Sequence, residues 1–171
     1  MLKQFLPNQF AKSVFEIKPE DLKAKGIKAI ITDLDNTLVE WDRTHPTEKV
    51  KAWFKEMMDA GIQITVVSNN NESRCQIFTQ SLGVDFIPAA RKPLAKSFME
   101  ATRRMGVEKE EVVVMGDQVL TDVLGGNRAG YHTILVVPVA QTDGFWTKIN
   151  RKIERMILNK FKKQGLLKWE D

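Results

Sequence analysis

Short β-branched runs alternate with helix-period segments through the middle of this 171-residue chain, and that alternation constrains the fold more than any other feature. The strand candidates are 27–33, 62–68, 84–87, 111–116 and 132–137. Ile62-Gln63-Ile64-Thr65-Val66-Val67 and Glu111-Val112-Val113-Val114-Met115 are apolar enough for central strands of a parallel sheet. Between Thr47 and Ala60, apolar residues recur at Val50, Trp53, Phe54, Met57 and Met58, then stop at Gly61, which predicts a helix. Further helices are predicted over 72–82, 93–105 and about 120–129, ending at Gly83, Gly106 and Gly130. Pro93 suits a first helical turn, where its missing N–H costs nothing. This order predicts an α/β fold, a doubly wound, Rossmann-like parallel sheet of about five strands. The length is one domain's worth, read as a single domain over 1–171 with an N-terminal flank (1–26) and a C-terminal flank (145–171).

Charge is segregated along the chain. Residues 29–144 hold 12 Lys/Arg against 16 Asp/Glu, whereas the ends, 1–28 and 145–171, hold 14 against 6. An acidic centre with basic ends suggests a metal-dependent core whose tails meet something anionic. The single cysteine, Cys75, excludes a disulfide framework. It is also a poor phosphatase nucleophile, since cysteine phosphatases place Arg six positions later and here that position is Ser81. No run approaches the roughly 18 apolar residues of a membrane span, and no signal region opens the chain. The expected location is the cytoplasm, peripheral to the inner face of the membrane if the tails bind lipid.

Chemistry concentrates where the strands end. Asp33-Leu34-Asp35-Asn36-Thr37 directly follows the β-rich run 27–32. Two carboxylates one residue apart at a sheet rim repel each other and resist desolvation unless a cation or a chemical task keeps them. A plain polar turn is the alternative for the pentapeptide alone. Strand 62–67 runs into Ser68-Asn69-Asn70-Asn71, a helix-opening turn whose hydroxyl and N–H groups can hold phosphate oxygens or simply cap the helix. Lys92 precedes the helix-starting proline, and strand 111–115 delivers Gly116-Asp117 with Asp122 about a turn later. Gly125-Gly126-Asn127-Arg128-Ala129-Gly130 has the wrong spacing for a nucleotide loop and reads as a helix end. His45 and His132 stand apart without ligand-spaced neighbours and read as structural or surface residues.

Taken as an ordered set, Asp-x-Asp-x-Thr, Ser, Lys and Gly-Asp-x-x-x-x-Asp resembles the haloacid dehalogenase (HAD) superfamily of aspartate-nucleophile phosphatases, over roughly residues 27–137. Asp33 to Leu38, Ser68-Asn69-Asn70, Arg91-Lys92-Pro93 and Gly116-Asp117-Gln118 with Thr121-Asp122 carry a closer resemblance to its small IIIA branch. These are the YqeG-type proteins related to phosphatidylglycerophosphate phosphatases. The resemblance implies that Asp33 attacks phosphorus and that Asp35 is the acid and then the base. It implies Mg²⁺ held by Asp33, the Asp35 carbonyl and Asp117. Thr37, Ser68, Asn69 and Lys92 would meet the phosphate, with Thr37 and Asp122 also orienting their neighbours.

Small-molecule members of that superfamily usually carry a cap domain. Here 23 residues separate Thr37 from Gly61 and another 23 separate Ser68 from Lys92, too few for one. An open site favours a substrate that covers it, such as a phospholipid headgroup, a nucleic-acid end or a protein. In the C-terminal flank, Phe145, Trp146, Ile149, Ile153, Met156, Ile157 and Phe161 recur at helical spacing among Lys and Arg. Such a helix can lie on an anionic membrane or pack its apolar face on the sheet. The expected activity is phosphomonoester hydrolysis, with phosphatidylglycerophosphate as the leading substrate. Nucleic-acid ends are less favoured, for want of a binding motif. A phospho-receiver module is the non-enzymatic alternative, and receivers generally take acceptor and metal acids from different strands.

Overall fold

The computed structural model describes residues 2–140 and 145–166. Six strands, β1 (Gln9–Ala11), β2 (Ala29–Thr32), β3 (Gln63–Val67), β4 (Asp85–Ile87), β5 (Val112–Gly116) and β6 (His132–Val136), form one sheet in the order β1-β6-β5-β2-β3-β4. Every pairing is parallel. The helices are α1 (Pro19–Ala24), α2 (Glu48–Asp59), α3 (Glu72–Thr79), α4 (Lys96–Met105), α5 (Leu124–Ala129) and α6 (Phe145–Lys163).

Alternate residues of β2 show why helices cover both faces. Ile30 points into a cluster with Val50, Trp53, Phe54 and Met57 of α2 and Phe78 of α3. Ala29 and Ile31 join Phe98 and Ala101 of α4 on the opposite face. A strand buried on both sides must be largely apolar, as this one is through Ile31, and buried Thr32 satisfies its hydroxyl by donating to the Asp33 carbonyl at 2.9 Å. The connection from β2 to β3 is α2 preceded by the segment 33–47, and that from β3 to β4 is α3 with short loops; no cap domain interrupts either.

Three details differ from the expectation. The sheet has six strands, because β1 joins β6 along Gln9↔Ile134, Phe10↔Leu135 and Ala11↔Val136. Asn8 extends this seam: its N–H donates to the Thr133 carbonyl at 3.0 Å, and its side-chain oxygen accepts from the Thr133 N–H at 2.8 Å. The fourth helix starts at Lys96 rather than at Pro93, because Arg91 to Leu94 form a turn closed by the Leu94 N–H on the Arg91 carbonyl, 3.0 Å. The helix expected over 120–129 begins as a turn of π-helix over Val119–Val123. The glycine pair within α5 has a packing purpose. A Cβ on Gly126 would stand 2.5 Å from Thr133 Cγ2, so the helix lies on the sheet more closely than alanine permits.

The apolar residues of α6 divide between two directions. Phe161 is buried and Leu158 half-buried, whereas Ile149, Ile153 and Met156 are 40%, 44% and 71% exposed. The side chains of Phe145 and Trp146, also part of the anticipated apolar face, lie outside the described residues. Among the described residues no helix is long and apolar enough to cross a membrane.

Candidate active site

The carboxyl ends of β2 and β5 are neighbours in the sheet, so Asp33 and Asp117, the residues that follow them, meet at the rim. The Asp33 N–H still donates to the Met115 carbonyl at 2.9 Å, which fixes the first carboxylate to the ladder. Carboxylate oxygens of Asp33, Asp117 and Asp122 lie within 4.8 Å of one another, all buried. Thr37 stands between two of them, its hydroxyl 3.2 Å from Asp33 Oδ2 and 2.9 Å from Asp117 Oδ1. One hydroxyl proton can serve only one carboxylate at a time, so the pair is left short of positive charge.

Lys92 supplies part of it. Its ammonium donates to Asp33 Oδ1 at 2.9 Å and to Asp122 Oδ1 at 2.6 Å, with the side chain 2% exposed. Burial alone would push the lysine down, but the two carboxylates outweigh it and hold the ammonium charged. Asp122 also accepts from the Gln118 N–H at 3.2 Å, so both of its oxygens are engaged and it anchors the lysine. Burial lifts Asp122 to about 7 against the pull of Lys92, with Asp33 adding to the rise. Asp117 is likewise pushed well above the ordinary carboxylate range, first by burial and then by the Asp33 charge.

Asn69 acts on the same lysine through the backbone. Its Oδ1 accepts from the Lys92 N–H at 2.8 Å and its Nδ2 donates to the Lys92 carbonyl at 3.3 Å. The amide expected to meet phosphate thus also holds the loop that carries Lys92. That loop needs holding, since Ala89 and Arg91 both sit at positive φ, 46° and 56°, which L-residues seldom adopt. Ser68 is buried, and its Oγ accepts from the Asn70 N–H at 3.0 Å.

Asp35 faces a different set of partners. Its Oδ2 accepts from Asn70 Nδ2 at 3.0 Å, and its Oδ1 from Arg74 at 3.2 and 3.1 Å. Asn36, at φ 61°, turns the chain just after Asp35, and its Oδ1 accepts from the Trp41 N–H at 3.2 Å. The two aspartates of the pentapeptide thus have different partners, Asp33 beside lysine and Asp35 beside arginine. Cys75 is fully buried, and burial raises its thiol pKa, which agrees with its exclusion as a nucleophile.

Three residues of the site had no assigned role in the sequence. Arg74 is a single arginine inside a predicted helix and carries no local signal. Arg151 of α6 donates to the Asp117 carbonyl at 2.8 Å, to Asp117 Oδ2, and to Glu154 Oε2 at 3.1 Å. Glu154 in turn accepts from the Leu120 N–H at 3.2 Å. Glu154 did offer a signal, as the one acidic residue between 145 and 163.

Among the described residues, four buried carboxylates, Asp33, Asp117, Asp122 and Glu154, thus share two cations, Lys92 and Arg151. An oxygen-only donor set with surplus negative charge fits a hard divalent cation. Gly116 permits the arrangement, because a Cβ there would fall 2.1 Å from Asp122 Cγ, inside the buried ion pair. Gly116→Ala is expected to lower stability by about 1–3 kcal/mol, the scale of overpacking, and to weaken turnover by displacing Asp122 from Lys92. Denaturant melts checked against steady-state rates test this, and an unchanged melt would contradict the contact.

The comparisons with known proteins agree with this geometry. A family profile described as hydrolase, haloacid dehalogenase-like hydrolase, matches residues 8–130. The chain is 58% identical over 172 residues to the probable phosphatase YqeG of Bacillus subtilis, covering 100% of both chains. It is 29% identical over 177 residues to phosphatidylglycerophosphate phosphatase 1 of Arabidopsis thaliana, covering 94% of this chain and 49% of the plant protein. The cobalt-bound deoxy-D-mannose-octulosonate 8-phosphate phosphatase of Haemophilus influenzae superposes with a TM-score of 0.58 at 21% identity, over 80% of this chain and 90% of that one. The chain belongs to the haloacid dehalogenase-like hydrolase family, as a phosphatase of its YqeG-type branch.

Proposed function

We propose that the protein is an Mg²⁺-dependent phosphomonoester hydrolase that removes the terminal phosphate of phosphatidylglycerophosphate at a membrane surface. The observation that carries the chemical reading is the separation of Asp33, gripped by Lys92 and Thr37, from Asp35, gripped by Asn70 and Arg74. Asp33 attacks phosphorus in line, forming an aspartyl-phosphate as the ester P–O bond breaks. Asp35 gives its proton to the departing alkoxide, then takes one from the water that cleaves the aspartyl-phosphate. Lys92 and Ser68 balance charge on the transferring oxygens, and Arg74 positions Asp35. Asp33, the Asp35 carbonyl and Asp117, with Asp122 close by, would hold Mg²⁺, which would supply charge neutralisation between nucleophile and phosphate dianion.

Two observations support the lipid substrate. The plant relative is a phosphatidylglycerophosphate phosphatase by name, although the chain spans only about half of it. On α6, Ile149, Ile153 and Met156 form an exposed stripe at i, i+4 and i+7, with exposed Lys160, Lys162 and Lys163 in the last turns. An outward apolar stripe beside cations is what an interfacial helix presents to anionic lipid. Each lysine near such a surface contributes about 1 kcal/mol, an attraction that salt screens. The variant carrying Lys160→Glu, Lys162→Glu and Lys163→Glu is expected to lose sedimentation with phosphatidylglycerol vesicles and turnover of vesicle-borne substrate. Hydrolysis of a small soluble phosphomonoester should persist, and loss of both activities together would mean the helix serves the fold. A phosphate-release comparison of phosphatidylglycerophosphate, phosphorylated oligonucleotides and sugar phosphates tests the substrate directly. Preference for either of the latter two would replace the lipid assignment.

A further inference from the structure

A cavity of about 590 Å³ opens beside Asp117, between the carboxyl end of β6 and α6. Val137 and Pro138 form part of one wall, and Lys148, Arg151, Lys152 and Arg155 stand along α6 on the other. Arg151 is engaged by Asp117 and Glu154. The side chains of Lys148, Lys152 and Arg155 have no hydrogen bond or ion pair among the described residues. Like charges one helical turn apart destabilise a helix. Lys148, Lys152 and Arg155 are exposed and border the partly apolar hollow on its open side, next to the exposed Ile149, Ile153 and Met156. The hollow adjoins the reacting groups through Asp117, which borders both.

We infer that this cavity is a second anion subsite, which takes a phosphodiester carried on the leaving group of the phosphomonoester substrate. The inference rests on the phosphatase reading above and adds where the rest of the substrate lies. A monoester at Asp33 places its leaving group at the rim, and β6 is the next strand beyond β5 in the sheet. Three cations without partners among the described residues complement an anion, and the apolar wall suits one with carbon on both sides rather than a terminal dianion. Lipid and water-soluble compounds can both carry this pair of groups, so the shared chemistry defines the subsite and the source is left to the experiment.

The test compares three probes at fixed ionic strength with Mg²⁺ present: glycerol 3-phosphate, deacylated phosphatidylglycerophosphate in solution, and phosphatidylglycerophosphate in vesicles. The soluble probe with both phosphates should exceed glycerol 3-phosphate in kcat/KM on the order of 30-fold, the scale of one charge-assisted contact, expressed in KM rather than kcat. The variant carrying Lys148→Gln, Lys152→Gln and Arg155→Gln should bring that ratio close to one, with the single change Lys152→Gln intermediate. A further gain for the vesicle probe identifies lipid as the source, and its absence identifies the soluble compound. A wild-type ratio near one, or a ratio that survives the triple change, overturns the subsite. So does a triple variant that loses both activities in proportion. If no probe is turned over, the phosphatase reading fails separately, and calorimetric binding to Asp33→Asn decides the subsite. Equal affinity for the probes with one and two phosphates would then exclude it.

Discussion

Asp33→Asn is expected to remove turnover, by on the order of 10⁴-fold or more in kcat, the range seen when a nucleophile is deleted. The amide keeps the side-chain shape but cannot attack phosphorus. The fold should survive, because Lys92 retains Asp122 at 2.6 Å and the rim loses one of its crowded charges. Asp35→Asn should be as inactive in steady state for another reason. It leaves Asp33 beside Lys92 able to attack an activated ester, but deprives the second step of its base. Intact-mass measurement after incubation with such an ester should therefore show a phosphoryl adduct on Asp35→Asn and none on the double variant. Near wild-type turnover by Asp33→Asn would sink the mechanism.

The second large effect concerns metal and pH. Two like charges about 4 Å apart repel by roughly 4 kcal/mol at an effective dielectric near 20, before relaxation. Asp117 and Asp122 hold protons in the fold more tightly than in the unfolded chain, since burial raises both. Between the unfolded carboxylate pKa and their raised folded values, the folded state therefore binds more protons, and metal-free stability falls as pH rises. The slope approaches about 1.4 kcal/mol per pH unit for each such proton. Saturating Mg²⁺ should remove most of this fall, adding up to ~2.7 kcal/mol of stability at a hundredfold excess over its Kd and so raising the melting temperature near neutral pH. Asp117→Asn should show a shallower metal-free slope and weaker activation by Mg²⁺, other titrating groups being common to both proteins. Melting temperatures indifferent to Mg²⁺ and to chelator across the pH range would refute the metal site.

Much of this was legible in the sequence because it depends on local order. A run such as Ile27 to Thr32 reads as a buried strand, and the carboxylates that follow it then fall at the rim. Asp117 follows from the same argument applied to Val112 to Met115. What escaped depends on distant partners. Three residues, Gln9 to Ala11, are too few to display a period, and their partner strand begins over a hundred positions later. Arg151 looked like one more cation on a basic helix until α6 brought it to Asp117. Asn69 shows a subtler limit. A polar residue in a phosphate-binding turn looks like a ligand residue, and nothing local shows that its amide also holds the Lys92 backbone.

The seam between β1 and β6 has a consequence for how the molecule is made. Both borders of the sheet are three-residue strands, β1 and β4, while the strands between them are mostly Ile, Val and Leu. Brief borders offer little template for another chain, a common defence against aggregation. On the β6 side the defence arrives first in synthesis and is used last, since Asn8 must wait for Thr133, 125 residues on. Until the ribosome has released β6, the early segment has nothing to pair with. Once β6 emerges, its open edge competes between its own amino terminus and any neighbouring nascent chain.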